Sequence, residues 1–190
     1  MTETALFVID IQNDLAGCAD TEIPDAQRIR DAAATLLKNS RSVIRDAVEK
    51  DKIPSITLAF VQHEESPDKG LLNKGTKPWE LVFPPSATNA CEQLVSKTTS
   101  DTFESNPGLA AELRTKGVKN IVAFGIQSEF CVLETCRGAR RAGFNVTLLS
   151  GAHSTYDTKT RTALEIERDV ENQLKHEGVT VVDWVEWQLA

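Results

Sequence analysis

Residues 119–149 read K-N-I-V-A-F-G-I-Q-S-E-F-C-V-L-E-T-C-R-G-A-R-R-A-G-F-N-V-T-L-L, and this stretch decides the fold class. It begins with an apolar run over 119–125, which predicts a buried strand. A helical pattern over about 130–142 follows and ends at Gly143. Another strand-like run occupies 144–149. Short apolar strands that alternate with helices are typical of a parallel sheet with helices on both faces.

The same alternation extends toward both ends of the chain. Further strands are predicted at 5–10, 55–61, 93–97 and 179–183, and further helices at 27–50, 107–116 and 158–177. No repeat or linker interrupts the pattern, and 190 residues suit one core, so a single α/β domain over residues 1–190 is expected. The long proline- and glycine-containing segment 62–90 has the length of a functional loop.

Composition excludes several classes of protein. A hydrophobic fraction of 41% and a charged fraction of 26% are ordinary for a globular chain. The net charge of −7 argues against nucleic-acid binding. No apolar stretch is long enough to span a bilayer, and the N-terminus lacks the pattern of a signal peptide, so a cytoplasmic protein without membrane partners is expected. The cysteines form no C-x-x-C pair and are too few for a secreted disulfide framework: Cys18, Cys91, Cys131 and Cys136.

Three residues that could carry chemistry stand at the ends of predicted strands. Asp10 ends the first strand, Lys97 ends the third, and Cys131 lies just past the fourth, at the start of a helix. Ligands of parallel sheets bind at the carboxyl ends of the strands, so these side chains should share one rim. A helix dipole and a neighbouring ammonium would both stabilise a thiolate. Taken singly, Asp10 could simply cap a turn, Lys97 could be a solvated surface residue, and Cys131 could be an inert thiol.

Five segments together resemble the isochorismatase-like cysteine hydrolases, in the order that this superfamily has them. They are F-V-I-D-I-Q-N-D-L at 7–15, K-G-T-K-P-W-E-L at 74–81, L-V-S-K-T-T-S-D-T-F at 94–103, G-I-Q-S-E-F-C-V at 125–132 and G-A-H-S-T-Y-D at 151–157. The resemblance implies a three-layer α/β/α, Rossmann-like sandwich around a mostly parallel sheet. It also implies the catalytic set Asp10, Lys97 and Cys131. An oxyanion hole would come from the N–H groups of Gln127 and Cys131, with a cis peptide joining Ile126 to Gln127.

The sequence departs from the nicotinamidases of this superfamily, which carry an Asp-x-His…His metal site after the second strand. Residues 60–66 read F-V-Q-H-E-E-S and contain one histidine, His63, of the three in the chain. Because this ligand set is missing, the sequence predicts a member of the superfamily that works without metal or other cofactor. Members that hydrolyse isochorismate typically lack the nucleophilic cysteine, so Cys131 favours acyl transfer through a thioester and cleavage of an amide-like C–N bond.

Three other functions stay open at this point. They are enol-ether hydrolysis of the isochorismatase type, a non-catalytic binding protein on the same scaffold, and a redox-sensing thiol. For the leading hypothesis the partner is a small-molecule substrate, with contacts expected from segment 62–90. The resemblance also implies a homodimer or homotetramer, and whether a neighbouring subunit completes the site is left open. The side chains expected to bind the substrate are Gln12, Trp79, Phe103, Phe130 and His153.

Overall fold

The computed structural model describes residues 2–188 and contains one six-stranded sheet. Its strands follow the order β3-β2-β1-β4-β5-β6, and every neighbouring pair is parallel. The predicted α/β class is therefore confirmed. The strands are β1 (Thr4–Ile9), β2 (Ile56–His63), β3 (Glu92–Lys97), β4 (Asn120–Ile126), β5 (Asn145–Ser154) and β6 (Thr180–Asp183).

Helices connect the strands and cover both faces of the sheet. The helices are α1 (Asn13–Ala16), α2 (Ala26–Val48), α3 (Thr102–Ser105), α4 (Leu109–Thr115), α5 (Leu133–Arg141) and α6 (Ala163–His176), with one π-helical turn at Ser128–Val132. Within residues 2–188 no helix is both long and apolar enough to cross a membrane.

Strand β1 shows how the sequence builds three layers. Successive side chains of a strand point to opposite faces. Phe7 and Ile9 pack with apolar residues of α4, α5 and α6, whereas Leu6 and Val8 pack with α2. All four are buried, as expected for a central parallel strand covered on both sides. The result is the three-layer sandwich that the resemblance implied.

Two element boundaries differ from the prediction by five residues, and both have local causes. Helix α6 begins at Ala163 rather than near residue 158, because Thr162 and Glu165 form a capping box that defines its first turn. Strand β5 continues to Ser154, five residues past the predicted end at 149, after a register shift opposite β4 between Ala123 and Gly125. Bulges of this kind are hard to recognise in a sequence.

Close contact between β1 and β4 requires a glycine at position 125. Gly125 has a φ of +132°, which L side chains rarely adopt, and a Cβ there would overlap the carbonyl oxygen of Ile9. The chain therefore brings the end of β1, with Asp10 next to it, directly beside the end of β4. This approach positions the groups described next.

Candidate active site

The structure brings Asp10, Lys97 and Cys131 together at the carboxyl end of the sheet. The Lys97 ammonium lies 2.8 Å from Asp10 Oδ2 and 3.0 Å from Cys131 Sγ. Asp10 and Lys97 are each about 1% exposed. The convergence expected from the strand ends is present, and the catalytic roles remain predictions.

Lys97 reaches this position from β3, across the end of β2. His63 ends β2 and is the register partner of Lys97. The Lys97 ammonium also lies 3.0 Å from His63 Nδ1 and 3.2 Å from the carbonyl oxygen of Thr99. Together with Asp10 and Cys131 these make four acceptors around a group that has three hydrogens. One hydrogen bond of Lys97 is already directed to the sulfur, while its contact with Asp10 is an ion pair.

The sequence predicted that Cys131 would be a stabilised thiolate, but without substrate the surroundings of Cys131 favour its protonated thiol. The pKa of the Cys131 thiol is raised to about 12, chiefly by burial and then by the Asp10 carboxylate, while Lys97 opposes the shift. Burial lowers the pKa of Lys97, but Asp10 and Cys131 outweigh it and hold that pKa above its ordinary value. The site at neutral pH is therefore an ion pair beside a protonated thiol.

Asp10 has an unusual backbone that sets its side-chain direction. Its φ is +48°, in the left-handed region, which aspartate tolerates better than most residues. Its N–H donates to the carbonyl of Val61, and its own carbonyl accepts from the N–H of Gln12. Strained conformations of this kind persist where the surroundings enforce them, and they cluster at functional sites.

Cys131 lies in the π-helical turn between β4 and α5. The Gln127 carbonyl accepts hydrogen bonds from the N–H groups of Phe130 and Val132, which turns the chain at this point. The peptide between Ile126 and Gln127 is cis, as the resemblance implied. Thr155 donates to the side-chain carbonyl of Gln127 at 3.3 Å and so contacts the same turn. The oxyanion hole formed by Gln127 and Cys131 remains a prediction.

Two of the expected substrate-binding residues are buried structural groups in this structure. Gln12 is fully buried, and its amide bonds the backbone N–H and carbonyl of His63 and the carbonyl of Trp79. His153 is also fully buried, with Nδ1 2.8 Å from Ser128 Oγ and Nε2 3.4 Å from Glu171 Oε1. These contacts place both side chains in support of the site rather than in an open cavity.

The three expected aromatic residues have different surroundings. Phe103 belongs to the hydrophobic core, where its ring stacks on Phe7 at 5.8 Å and contacts Phe144, so its observed place is not a pocket wall. Trp79 is half-buried and packs against the apolar cluster on the α2 face of the sheet, where it lines a shallow cavity with Leu81. Phe130 is 52% exposed next to Cys131, so it alone of the three offers a free apolar surface at the site.

Sequence reasoning missed His63 as a part of this cluster. It weighed His63 only as a metal ligand, although His63 ends β2 at the same rim as Asp10 and Lys97. Burial and then the Lys97 ammonium lower the pKa of His63, so the ring is neutral at pH 7. His63 lines a cavity of about 620 Å³ together with residues of segment 62–90 and Thr98. The rule that placed the other three at strand ends did not reach His63, because the predicted second strand stops at residue 61 whereas β2 continues to His63.

The donor atoms of Asp10, His63 and Cys131 lie within 4.8 Å of one another, so their fit to a metal ion can be tested. The Lys97 ammonium lies within 3.0 Å of an atom of each. A metal ion bound by these three groups would have to share their space with that ammonium, at a repulsive distance. The residues present do not fit a metal, and no step of the chemistry below passes through one.

A protein-family model described as the isochorismatase domain matches residues 4–184 of the chain. Among curated proteins, a streptothricin hydrolase of Streptomyces noursei is 32% identical over 154 residues, which are 80% of this chain and 50% of that protein. The chain thus spans about half the length of the streptothricin hydrolases that it matches.

Two solved structures illustrate the likeness of the fold. A cysteine hydrolase from Pseudomonas syringae pv. phaseolicola superposes with a TM-score of 0.79 at 19% identity, covering 97% of this chain and 90% of the other. A pyrazinamidase of Pyrococcus horikoshii in complex with zinc superposes with a TM-score of 0.68 at 24% identity, covering 95% of this chain and 99% of the other. At these identities the likeness concerns the fold.

Proposed function

The chain belongs to the isochorismatase family, and from this premise we propose that it is a metal-independent cysteine hydrolase acting on an amide-like C–N bond. The observation that carries the proposal is the contact of one buried ammonium, that of Lys97, with both Asp10 and Cys131, at 2.8 and 3.0 Å. A carboxylate that can accept the thiol proton and an ammonium that can stabilise the thiolate are groups suited to thiol activation.

The first step is removal of the Cys131 proton. Because the pKa of the thiol is raised to about 12, the resting sulfur is protonated and needs a base. Asp10 is the carboxylate within reach, and it takes this proton. The Lys97 ammonium then lies between a thiolate and a neutral carboxyl, and its hydrogen bond to sulfur stabilises the new charge.

The thiolate attacks the carbonyl carbon of the substrate, and the former double-bond electrons become an oxyanion. The N–H groups of Gln127 and Cys131 donate to that oxygen. When the carbonyl re-forms, the C–N bond breaks and the leaving nitrogen takes the proton held by Asp10. A thioester on Cys131 remains. Water that loses a proton to Asp10 attacks the thioester, the C–S bond breaks and the acid is released. The proton held by Asp10 then returns to the sulfur and restores the thiol.

The names of similar proteins support a hydrolase of this class without identifying the substrate. The relatives named streptothricin hydrolase extend well beyond the part that aligns with this chain, so their substrate is not carried over. A cytoplasmic location is part of the same proposal, because a reducing compartment keeps a catalytic thiol free. Assembly into a homodimer or homotetramer is supported by exposed apolar side chains such as Leu71, Leu94 and Phe130, and size-exclusion chromatography tests it.

The experiment that tests the proposal is a screen of small amides, lactams and ureides for released ammonia or amine. The best substrate is then mixed with excess enzyme and quenched, and intact-protein mass spectrometry should detect one acyl group on Cys131. Cys131→Ala should give neither product nor adduct while its circular dichroism stays unchanged. Turnover by Cys131→Ala near the unaltered rate would overturn the proposal.

A second candidate is hydrolysis of an enol ether, which needs an acid but no thiolate. The match of residues 4–184 to the isochorismatase domain is the observation that keeps this reaction in view, with the Asp10 carboxyl as the proton donor. The two reactions differ in whether an acyl group becomes bound to the enzyme, and one of the tests below separates them.

A further inference from the structure

A chain of polar side chains joins α6 to the turn that carries Cys131. His153 stands in the middle, fully shielded from water, with Nδ1 2.8 Å from Ser128 Oγ and Nε2 3.4 Å from Glu171 Oε1. Ser128 is also fully buried and begins the π-helical turn. The reaction steps proposed above use none of these three side chains, so their arrangement needs its own explanation.

The Glu171 carboxylate determines which ring nitrogen of His153 carries a hydrogen. Burial raises the pKa of Glu171, but contacts with His153 and Ser150 outweigh it and hold that pKa below its ordinary value, so the carboxylate is charged at pH 7. Because a charged carboxylate only accepts, the Nε2 that faces it carries a hydrogen. At 3.4 Å this contact is longer than an ordinary hydrogen bond and is mainly electrostatic. In the neutral ring Nδ1 is then the acceptor, and the Ser128 hydroxyl donates to it.

Ser128 lies between the two residues whose N–H groups would bind the oxyanion. Gln127 precedes it directly, and Cys131 follows three residues later. Backbone hydrogen bonds such as that from the N–H of Leu133 to the Ser128 carbonyl close the turn. Those bonds fix the shape of the turn but not its place against the sheet. The Ser128 hydroxyl connects the turn to the sheet, since within residues 2–188 its hydrogen bond goes to His153.

The end of β5 holds this turn at two points. His153 contacts Ser128, and Thr155, just past β5, donates to the side-chain oxygen of Gln127 at 3.3 Å. His153 is itself the register partner of Gly125 near the end of β4. The pairing of β4 with β5 therefore places the imidazole ring, and the ring in turn holds the start of the π-helical turn.

Helix α6 directs two carboxylates to β5, and they differ in what lies beyond them. Glu167 accepts from Ser154 Oγ at 2.5 Å, and Glu171, one helical turn later, faces His153. Ser154 and Ser128 are both fully buried. Both connections join α6 to β5, but of the two only the one through His153 continues to the π-helical turn. Ser154 therefore provides a matched comparison for Ser128.

We propose that His153 is a positioning residue that, backed by Glu171, holds the Ser128 hydroxyl. Through Ser128 it fixes the N–H groups of Gln127 and Cys131 at the places where they meet the oxyanion. His153 is sealed from solvent, so it acts through Ser128 and does not touch the substrate. Because the oxyanion develops on the way to the transition state, losing this support should lower kcat and leave KM nearly unchanged. The proposal rests on the function proposed above, since it concerns the same reacting centre.

Two serine substitutions separate positioning from stability. Ser128→Ala removes the hydroxyl that His153 holds, and Ser154→Ala removes an equally buried hydroxyl that bonds Glu167. We expect both to lower the melting temperature, but only Ser128→Ala to lower kcat, by about tenfold to a hundredfold, as misplacement of a catalytic group does. Equal kcat for the two variants would overturn the proposal, because a merely structural hydroxyl affects stability alone.

Two substitutions of His153 test which of its contacts matters. In His153→Asn the side-chain oxygen can take the place of Nδ1 and accept from Ser128. In His153→Gln the amide nitrogen can take the place of Nε2 and face Glu171. We expect kcat to be higher in His153→Asn than in His153→Gln. Equal losses, or the reverse order, would show that the ring only fills space or balances the carboxylate, and would refute the positioning role. Ser128→Ala, which removes a single oxygen, decides the matter if neither histidine variant folds.

An aldehyde tests the position of the turn without turnover. The Cys131 sulfur adds to the carbonyl carbon of acetaldehyde, and the thiol proton passes to the carbonyl oxygen, which then lies at the place of the oxyanion. Alkylation of the same sulfur by iodoacetamide forms no such oxygen. We expect Ser128→Ala and His153→Gln to raise the dissociation constant of isotope-labelled acetaldehyde, measured by carbon NMR, about tenfold, as for one neutral hydrogen bond lost. The alkylation rate should not change, and Ser154→Ala should change neither quantity.

The aldehyde also separates a failure of this proposal from a failure of the proposed function. If the adduct weakens as expected but the unaltered protein hydrolyses no amide, the positioning role of His153 stands and the hydrolase proposal fails. If all variants bind acetaldehyde equally, the positioning role is wrong whatever the enzyme hydrolyses. An unaltered protein that forms no adduct with acetaldehyde would contradict both proposals.

Discussion

The Lys97 ammonium and the Asp10 carboxylate form an ion pair at 2.8 Å in which both side chains are shielded almost completely from water. Such a pair gains little over a well-packed apolar pair, because desolvation of both groups offsets their attraction. Losing one member has a large effect, because the other is left charged and buried. Stability and the proposed chemistry therefore depend on the same two groups.

We expect Lys97→Met to lower the free energy of unfolding by about 3–5 kcal/mol, since Asp10 is then left unpaired. The combined variant Asp10→Asn with Lys97→Met should regain most of that loss while remaining inactive. Urea denaturation followed by circular dichroism measures both. A combined variant as unstable as Lys97→Met alone would show that the loss arises from packing and not from the unpaired carboxylate.

The reaction class can be decided with Cys131→Ser and isochorismate. Amide hydrolysis through a thioester requires the sulfur, so Cys131→Ser should lose at least about two orders of magnitude in kcat on the best amide. Isochorismate should be a poor substrate of the unaltered enzyme. If Cys131→Ser hydrolyses isochorismate as fast as the unaltered enzyme does, the enol-ether reaction replaces the amidase proposal.

Alkylation of Cys131 should be slow at neutral pH. A thiol with its pKa raised to about 12 has a smaller thiolate fraction than an ordinary cysteine at every pH below that value. Iodoacetamide should therefore label Cys131 at least about a hundredfold more slowly at pH 8 than it labels the unfolded chain, with the rate still rising above pH 10. Peptide mass spectrometry measures the rate, and exposed Cys18 serves as the internal control. Fast labelling at pH 7 would mean that the resting sulfur is a thiolate.

Chelation should leave the activity unchanged. The ammonium of Lys97 lies among the three groups that could bind a metal ion, so catalysis should proceed without one. Extended dialysis against EDTA, followed by metal analysis of the protein and an assay with the best amide, tests this. Activity that falls with removal of a stoichiometric ion and returns with that ion would contradict it.

Much of the fold could be predicted because its signals are local. Apolar runs bounded by turn residues mark the strands, and the rule for parallel sheets then places Asp10, Lys97 and Cys131 at one rim. The resemblance added the roles of those residues and the cis peptide before Gln127.

What the sequence could not predict depends on contacts between distant segments. Phe103 lies in the hydrophobic core, where its ring stacks on Phe7. His153 is buried opposite Gly125, after the register shift between β4 and β5. The raised pKa of Cys131 follows from how deeply the folded chain buries it. The role of His63 beside Lys97 depends on the pairing of β2 with β3. Neither burial nor register is encoded in a single segment.

The strand that carries Lys97 lies at an edge of the sheet. Among the strands of residues 2–188, β3 pairs with β2 alone, and Leu94 on it is about half exposed. Edge strands open more readily than central ones, because fewer hydrogen bonds and apolar contacts must be broken. Partial opening of this edge would withdraw the ammonium from the thiol while Asp10 and Cys131 stayed in the core, so the enzyme should lose its activity on heating before it loses its fold.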